Sequence, residues 1–209
     1  MTTFLLILNK LKLSIYKPEN TEQTSIISNF NTLQKLTIDY EIKLPKLLFK
    51  AISKNKNLNT LRISNNKLSN LPKEIGLLKN LESFFSSNNK LETELPLEFY
   101  ELTNLKNIEI QGSNLEVVSE KINNLKKLET LKLYYNKITK TPKELNGLES
   151  LKHLKLNNNF LKNFKDILDP INAKLLNDNK GWGSYNFIQK IMVKELEKYN
   201  IKGDGLIIH

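Results

Sequence analysis

The chain has 209 residues, a formal net charge of +10 and no cysteine. That length is one domain's worth of sequence, and the lack of thiols excludes disulfide staples, thiolate zinc sites and cysteine nucleophiles. No apolar run approaches the roughly 18 residues of a membrane-spanning helix, and Arg62 is the single arginine among 32 basic residues.

The segment Phe4-Leu5-Leu6-Ile7-Leu8 is too short for a secretory signal, and no basic residue precedes it. Its alternation continues through Leu11 and Leu13 and reads as a first strand. Leu8-x-x-Leu11-x-Leu13 and Leu33-x-x-Leu36-x-Ile38 each start 25 residues before the next such phrase. The return arms at 21–31 and 46–57 look helical.

Leu58-x-x-Leu61-x-Ile63-x-x-Asn66-x-Leu68 then recurs from Leu128 and Leu151, with weaker copies from Leu81 and Leu105. The five starts are separated by 23, 24, 23 and 23 residues. A fixed period in this range marks a stacked array, in which single units cannot bury their own apolar face. Within each unit the aliphatic residues alternate as in a half-buried strand, and a tight turn follows at the asparagine. An apolar segment such as Leu71-Pro72-Lys73-Glu74-Ile75 brings the chain back. Its proline cannot donate a ladder hydrogen bond and belongs on the outer arc.

Beyond Phe164 the pattern changes. Asp169-Pro170 interrupts it, and Asn177-Asp178-Asn179-Lys180-Gly181-Trp182-Gly183 reads as a loop. Ser184 offers an N-cap for a helix over 184–200 whose Phe187, Ile188, Ile191, Met192, Leu196 and Tyr199 share one side. Such a helix suits a lid over the last coil.

These phrases resemble the leucine-rich repeat family, whose motif is Leu-x-x-Leu-x-Leu-x-x-Asn-x-Leu. The segments Leu71-Pro72-Lys73-Glu74-Ile75 and Thr141-Pro142-Lys143-Glu144-Leu145 resemble its short class with Leu-Pro-x-x-Ile. The resemblance covers roughly residues 33–170. It implies an α/β leucine-rich-repeat solenoid: a curved horseshoe whose concave face is a parallel sheet of about seven strands, closed by a C-terminal capping helix. A single domain spans 1–209, with an N-terminal cap and first strand at 1–32, repeats at 33–173 and a helical cap at 174–209.

The resemblance also implies that Asn66, Asn89, Asn136 and Asn159 form a scaffold ladder, an amide being able both to donate and to accept. Ser113 departs from that row. In the unit at Leu81, Phe84 and Ser86 replace the aliphatic pair, a large ring beside a small residue that conserves core volume.

Family geometry turns the intervening strand residues toward the concave face. One expected row is Lys12, Thr37, Arg62, Phe85, Glu109, Lys132 and Lys155, and the next is Ser14, Asp39, Ser64, Ser87, Gln111, Tyr134 and Asn157. A third carries Tyr40, Asn65, Asn88, Gly112, Tyr135 and Asn158. Aromatics where water is expected are typical interface anchors, so Phe85, Tyr134 and Tyr135 are candidate contacts, with Glu109 and Lys132 orienting a polar partner. Seven strands of about five residues present a face near 500 Å², below the roughly 800 Å² of a standard interface. That favours a peptide, a single helix or a weak contact.

The expected function is therefore a non-catalytic protein- or peptide-binding adaptor, monomeric and cytoplasmic by default. No cofactor, metal site or catalytic residue is expected. His153 lies on the strand face with no nucleophile in an evident relay. Two alternatives are electrostatic association with RNA or acidic partners, and a secreted effector. The first is weakened because lysine supplies only a point charge and alternates with glutamate.

Overall fold

The computed structural model describes residues 12–16, 33–39, 46–91 and 93–161. Seven strands form one parallel sheet in chain order. They are β1 Lys12–Tyr16, β2 Lys35–Asp39, β3 Thr60–Ser64, β4 Ser83–Ser87, β5 Asn107–Gln111, β6 Thr130–Lys132 and β7 His153–Lys155. Sequential parallel neighbours without crossover are what a fixed repeat produces, because each coil hydrogen-bonds only to the coils on either side. The capping helix at 174–209 and the return arm at 21–31 lie outside the described residues.

Leu36, Leu61, Phe84, Ile108, Leu131 and Leu154 are paired in register and all buried. They make a continuous apolar column down the solenoid. Phe84 and Ser86, the two departures from the motif, are both fully buried. Phe84 packs edge-on to Phe99 at 5.2 Å, and Phe99 does the same to Tyr100 at 5.8 Å. Ser86 Oγ accepts a hydrogen bond from Asn89 Nδ2 at 3.0 Å, so the small residue leaves room for the ring while its own hydroxyl is satisfied.

The first strand sits two residues from its expected register. Leu13, not Leu11, pairs with Leu36, so Ser14 rather than Lys12 stands opposite Thr37. A parallel strand with period-two alternation can slide by two residues without exchanging its faces. The observed offset from Leu13 to Leu36 equals the 23-residue period of the later coils.

The return arms follow coil length. The 25-residue coil before Leu58 has room for a helix, α1 Lys46–Ile52, closed by Asn55 Nδ2 donating to the Ala51 and Ile52 carbonyls. Later coils return through single 3-10 turns at Lys73–Leu77, Leu97–Glu101, Glu120–Asn124 and Lys143–Gly147. Pro72, Pro96 and Pro142 precede three of them with ψ near 150°. At the fourth, Ser119 Oγ accepts from the Lys121 backbone amide.

The expected asparagine ladder is present. Each amide donates to a carbonyl of the preceding coil: Asn66 to Ile38, Asn89 to Ile63, Asn136 to Ile110 and Asn159 to Leu133, at 2.7–3.3 Å. Asn136 and Asn159 also accept from the Leu115 and Ile138 amides. Ser113, buried in the same row, has a hydroxyl without a hydrogen-bond partner.

A second ladder runs on the other side of the strands. Asn80 donates to the Lys56 carbonyl and Asn104 to that of Lys79, at 2.7 and 2.8 Å. At the strand entrances, charge alternates from coil to coil: Glu82 pairs with Lys106 at 3.1 Å and Glu129 with Lys152 at 2.7 Å. Lys152 first, and Lys106 more weakly, hold the Glu129 carboxyl below its ordinary value.

Candidate functional site

The register brings Thr37, Arg62, Phe85, Glu109, Lys132 and Lys155 into one row across β2–β7. The neighbouring row, Asp39, Ser64, Ser87 and Gln111, is also paired in order. The register places Phe85, Glu109 and Lys132 on one face, and Tyr134 joins them through its hydroxyl and Tyr135 through its ring contact with Tyr134.

Glu109 is the centre of the group. Its Oε2 accepts from Lys132 Nζ at 3.3 Å, and its Oε1 accepts from the Tyr134 hydroxyl at 2.9 Å. Both carboxylate oxygens are engaged by neighbours from the next strand and the turn beyond it. Desolvation, then the hydrogen bond to Glu109, push the Tyr134 hydroxyl up to about 12. Tyr134 thus stays protonated and donates throughout the physiological range.

Phe85 pairs across the sheet with Glu109. The Arg62 guanidinium lies 4.3 Å from its ring centroid, a cation–π contact. Ring and guanidinium make a composite surface, so the chain's one arginine works here with an aromatic neighbour. A shallow hollow of about 300 Å³ lies beside Phe85, lined also by Glu109, Thr130, Lys132, His153 and Lys155.

The third expected row has a common backbone conformation. Asn65, Asn88, Gly112, Tyr135 and Asn158 all have φ between 52° and 58°, the left-handed region where glycine and asparagine are at ease. Asn88 Nδ2 donates to Asn65 Oδ1, and Asn65 Nδ2 to Asp39 Oδ1, at 2.9 and 2.8 Å. That chain ends at Gly112, where a Cβ would stand 2.8 Å from Asn88 Oδ1.

Tyr135 is the exception in this row. A bulky residue at positive φ is a genuine outlier, yet its side chain is 54% exposed. Its ring meets Tyr134 edge-on at 5.9 Å. It therefore stands beside the core without being buried in it. Tyr40, expected to begin this row, lies outside the described residues.

Sequence reasoning missed the Arg62–Phe85 contact, whereas His153, expected on the strand face beside Lys132 and Lys155, does line the hollow with them. The signal for the left-handed row was present in Asn65, Asn88, Gly112 and Asn158, the residue types that tolerate positive φ. A second hollow, about 950 Å³, lies among the outer return arms near Leu97, Val117, Thr141 and Glu144. Among the described residues no group of three or more histidines and carboxylates is placed to hold a metal ion, and no helix is long and apolar enough to cross a membrane.

Stacked parallel coils, a buried asparagine ladder and a polar strand face with a few aromatics define a solenoid binding scaffold. A family model of the leucine-rich repeat region matches residues 13–176, most of the chain, and the chain belongs to that family. It is similar in structure to an internalin from Listeria monocytogenes, with a TM-score of 0.64 and 22% identity, covering 78% of this chain and 46% of that one. It is similar also to the plant peptide hormone receptor RGFR1 in complex with RGF2, at TM-score 0.53 and 27% identity, covering 64% of this chain and 22% of the receptor. An adenylate cyclase of Schizosaccharomyces pombe is 33% identical over 126 residues, 60% of this chain. The chain spans only 7% of that enzyme's length, and less than half of either structural neighbour.

Proposed function

We propose that this chain is a non-catalytic adaptor that binds a protein or peptide on its concave face. Phe85, Glu109, Lys132, Tyr134 and Tyr135 are the contact residues. The observation that carries the reading is Tyr135, a large exposed ring held at φ 56° where the neighbouring coils have asparagine or glycine. Left-handed backbone costs a residue of this kind about 1–2 kcal/mol, and the ring is nonetheless left more than half exposed. Family membership and the peptide-bound state of the plant receptor support the same reading. The likeness to the cyclase, confined to a small fraction of that enzyme, supports the scaffold rather than nucleotide chemistry.

The adaptor is proposed to work as a cytoplasmic monomer. Affinity capture from the native cell lysate tests the reading. A partner retained by wild type and lost by Phe85→Glu and Tyr135→Glu, with unchanged circular dichroism, is the expected result. Equal retention by all three baits removes the concave face from consideration.

A second reading, association with RNA or another polyanion, draws on the +10 net charge. It requires affinity to fall steeply with salt, since counterion release dominates such binding. Near-constant affinity between 50 and 200 mM salt eliminates it.

A further inference from the structure

Resting on the concave-face reading, we infer that the partner is an extended acidic peptide whose apolar or aromatic side chain docks at Arg62–Phe85 and whose carboxylate, about four residues away, docks at His153–Lys155. Charge is the first argument. Lys35, Arg62, Lys132 and Lys155 on the described strand face oppose only Asp39 and Glu109. Both acids are already used: Asp39 accepts from Asn65, and Glu109 accepts from Lys132 and Tyr134. The four ion pairs formed among the described residues do not involve Arg62 or Lys155. An arriving carboxylate therefore meets Lys155 without displacing an internal partner.

The second argument is the shape of the face. The hollow beside Phe85 extends to His153 and Lys155, so the aromatic and cationic ends belong to one depression. Phe85, Glu109, Lys132 and Lys155 occupy successive strands. At about 4.8 Å between strands, the ends are roughly 14 Å apart, a span that an extended chain covers in about four residues at 3.3 Å each. The Glu109–Lys132–Tyr134 group forms a satisfied polar floor between them, over which a peptide backbone can pass.

The third argument concerns which anion fits. Glu109 stands between Arg62 and Lys132 in the row. A continuous polyanion laid along the row would meet that carboxylate midway, whereas a peptide with one apolar and one acidic anchor does not. Like charges brought together across an interface disfavour the wrong partner.

The test is selection of a random dodecapeptide phage library on the purified chain. The expected result is enrichment of sequences with a large apolar residue and an Asp or Glu about four positions apart. A selected synthetic peptide should bind about tenfold more weakly to Lys155→Glu, a loss near 1.4 kcal/mol, and comparably more weakly to Phe85→Glu. Changing the peptide's acid to lysine should restore affinity for Lys155→Glu. Peptides that depend on Phe85 but carry no acid, or ignore Lys155→Glu, overturn this inference and leave the concave-face reading standing. Peptides bound equally by Phe85→Glu and Tyr135→Glu overturn both. No enrichment overturns the peptide occupant, and displacement of the selected peptide by an oligouridine at equal concentration reassigns the site to a polyanion. Circular dichroism of each variant separates lost binding from lost fold, and Lys155→Gln gives a milder version of the charge change.

Discussion

Upstream and downstream halves of the strand face share one backbone and use it differently. In both, a buried asparagine ties a coil to the one before, Ser113 being the exception, and the residue preceding this position is left-handed. Upstream, that left-handed position holds Asn65 and Asn88, which hydrogen-bond to one another and to Asp39. Downstream, before asparagine returns at Asn158, it holds Gly112, which has no side chain to join the row, and Tyr135, which stands exposed. A position whose geometry is set by the repeat can be occupied for cohesion in one half and left open in the other.

The largest effect should come from breaking what the halves share. Asn136→Ala removes an amide that donates to the Ile110 carbonyl and accepts from the Leu115 amide. Leaving buried backbone groups unpaired costs about 1–3 kcal/mol each, so a loss of about 3 kcal/mol is expected in urea unfolding. Asn66→Ala should cost a similar amount, and Asn88→Ala, on the exposed row, less than about 1 kcal/mol. If Asn88→Ala were as costly as Asn136→Ala, the distinction between scaffold row and rim row would fail.

Next comes the alkaline limb of the stability curve. Burial pushes the Tyr100 hydroxyl up to about 12, and Tyr134 reaches about 12 on the other face. Both are raised above the ordinary value of 10.0. Their contribution is therefore complete below pH 10 and is lost as pH rises toward 12. Tyr100→Phe should flatten the fall in urea midpoint over that range more than Tyr134→Phe does, because Tyr100 is buried among aromatics and Tyr134 borders solvent. The reverse order would show that the Glu109 cluster, not the core, carries the alkaline sensitivity.

The smallest change sharpens the contrast most. Tyr135→Asn gives the downstream half the residue type of the upstream half and relieves the left-handed strain, with an expected stability gain of about 1 kcal/mol. The same variant should lose the concave-face ligand. A variant no more stable than wild type, or one that keeps full affinity, would leave Tyr135 without the role assigned to it.

Much of this was legible beforehand, for reasons that differ by residue. The period locates β2 to β7 because every coil repeats the same apolar spacing, and Phe85, Glu109 and Lys132 fall on one face for the same reason. The register of β1 was not legible, since Leu11, Leu13 and Ile15 alternate alike and a two-residue slide conserves the pattern. The Arg62–Phe85 contact depends on side-chain direction across strands 23 residues apart, which spacing alone does not specify. Gly112 and Tyr135 differ most from their row, and that difference was visible; the positive φ that gives it meaning was not.

The alternating column of Glu82, Lys106, Glu129 and Lys152 has a consequence for how such an array can change length. Losing one coil between Glu82 and Glu129 would set acid against acid at a junction where attraction now stands. Losing two neighbouring coils would bring Glu82 to Lys152 and keep the order of signs. Each junction contributes little, typically about 0–1 kcal/mol for exposed pairs, but its sign is definite. The column acts as a parity rule, under which this array shortens or lengthens more readily by pairs of coils than by single ones.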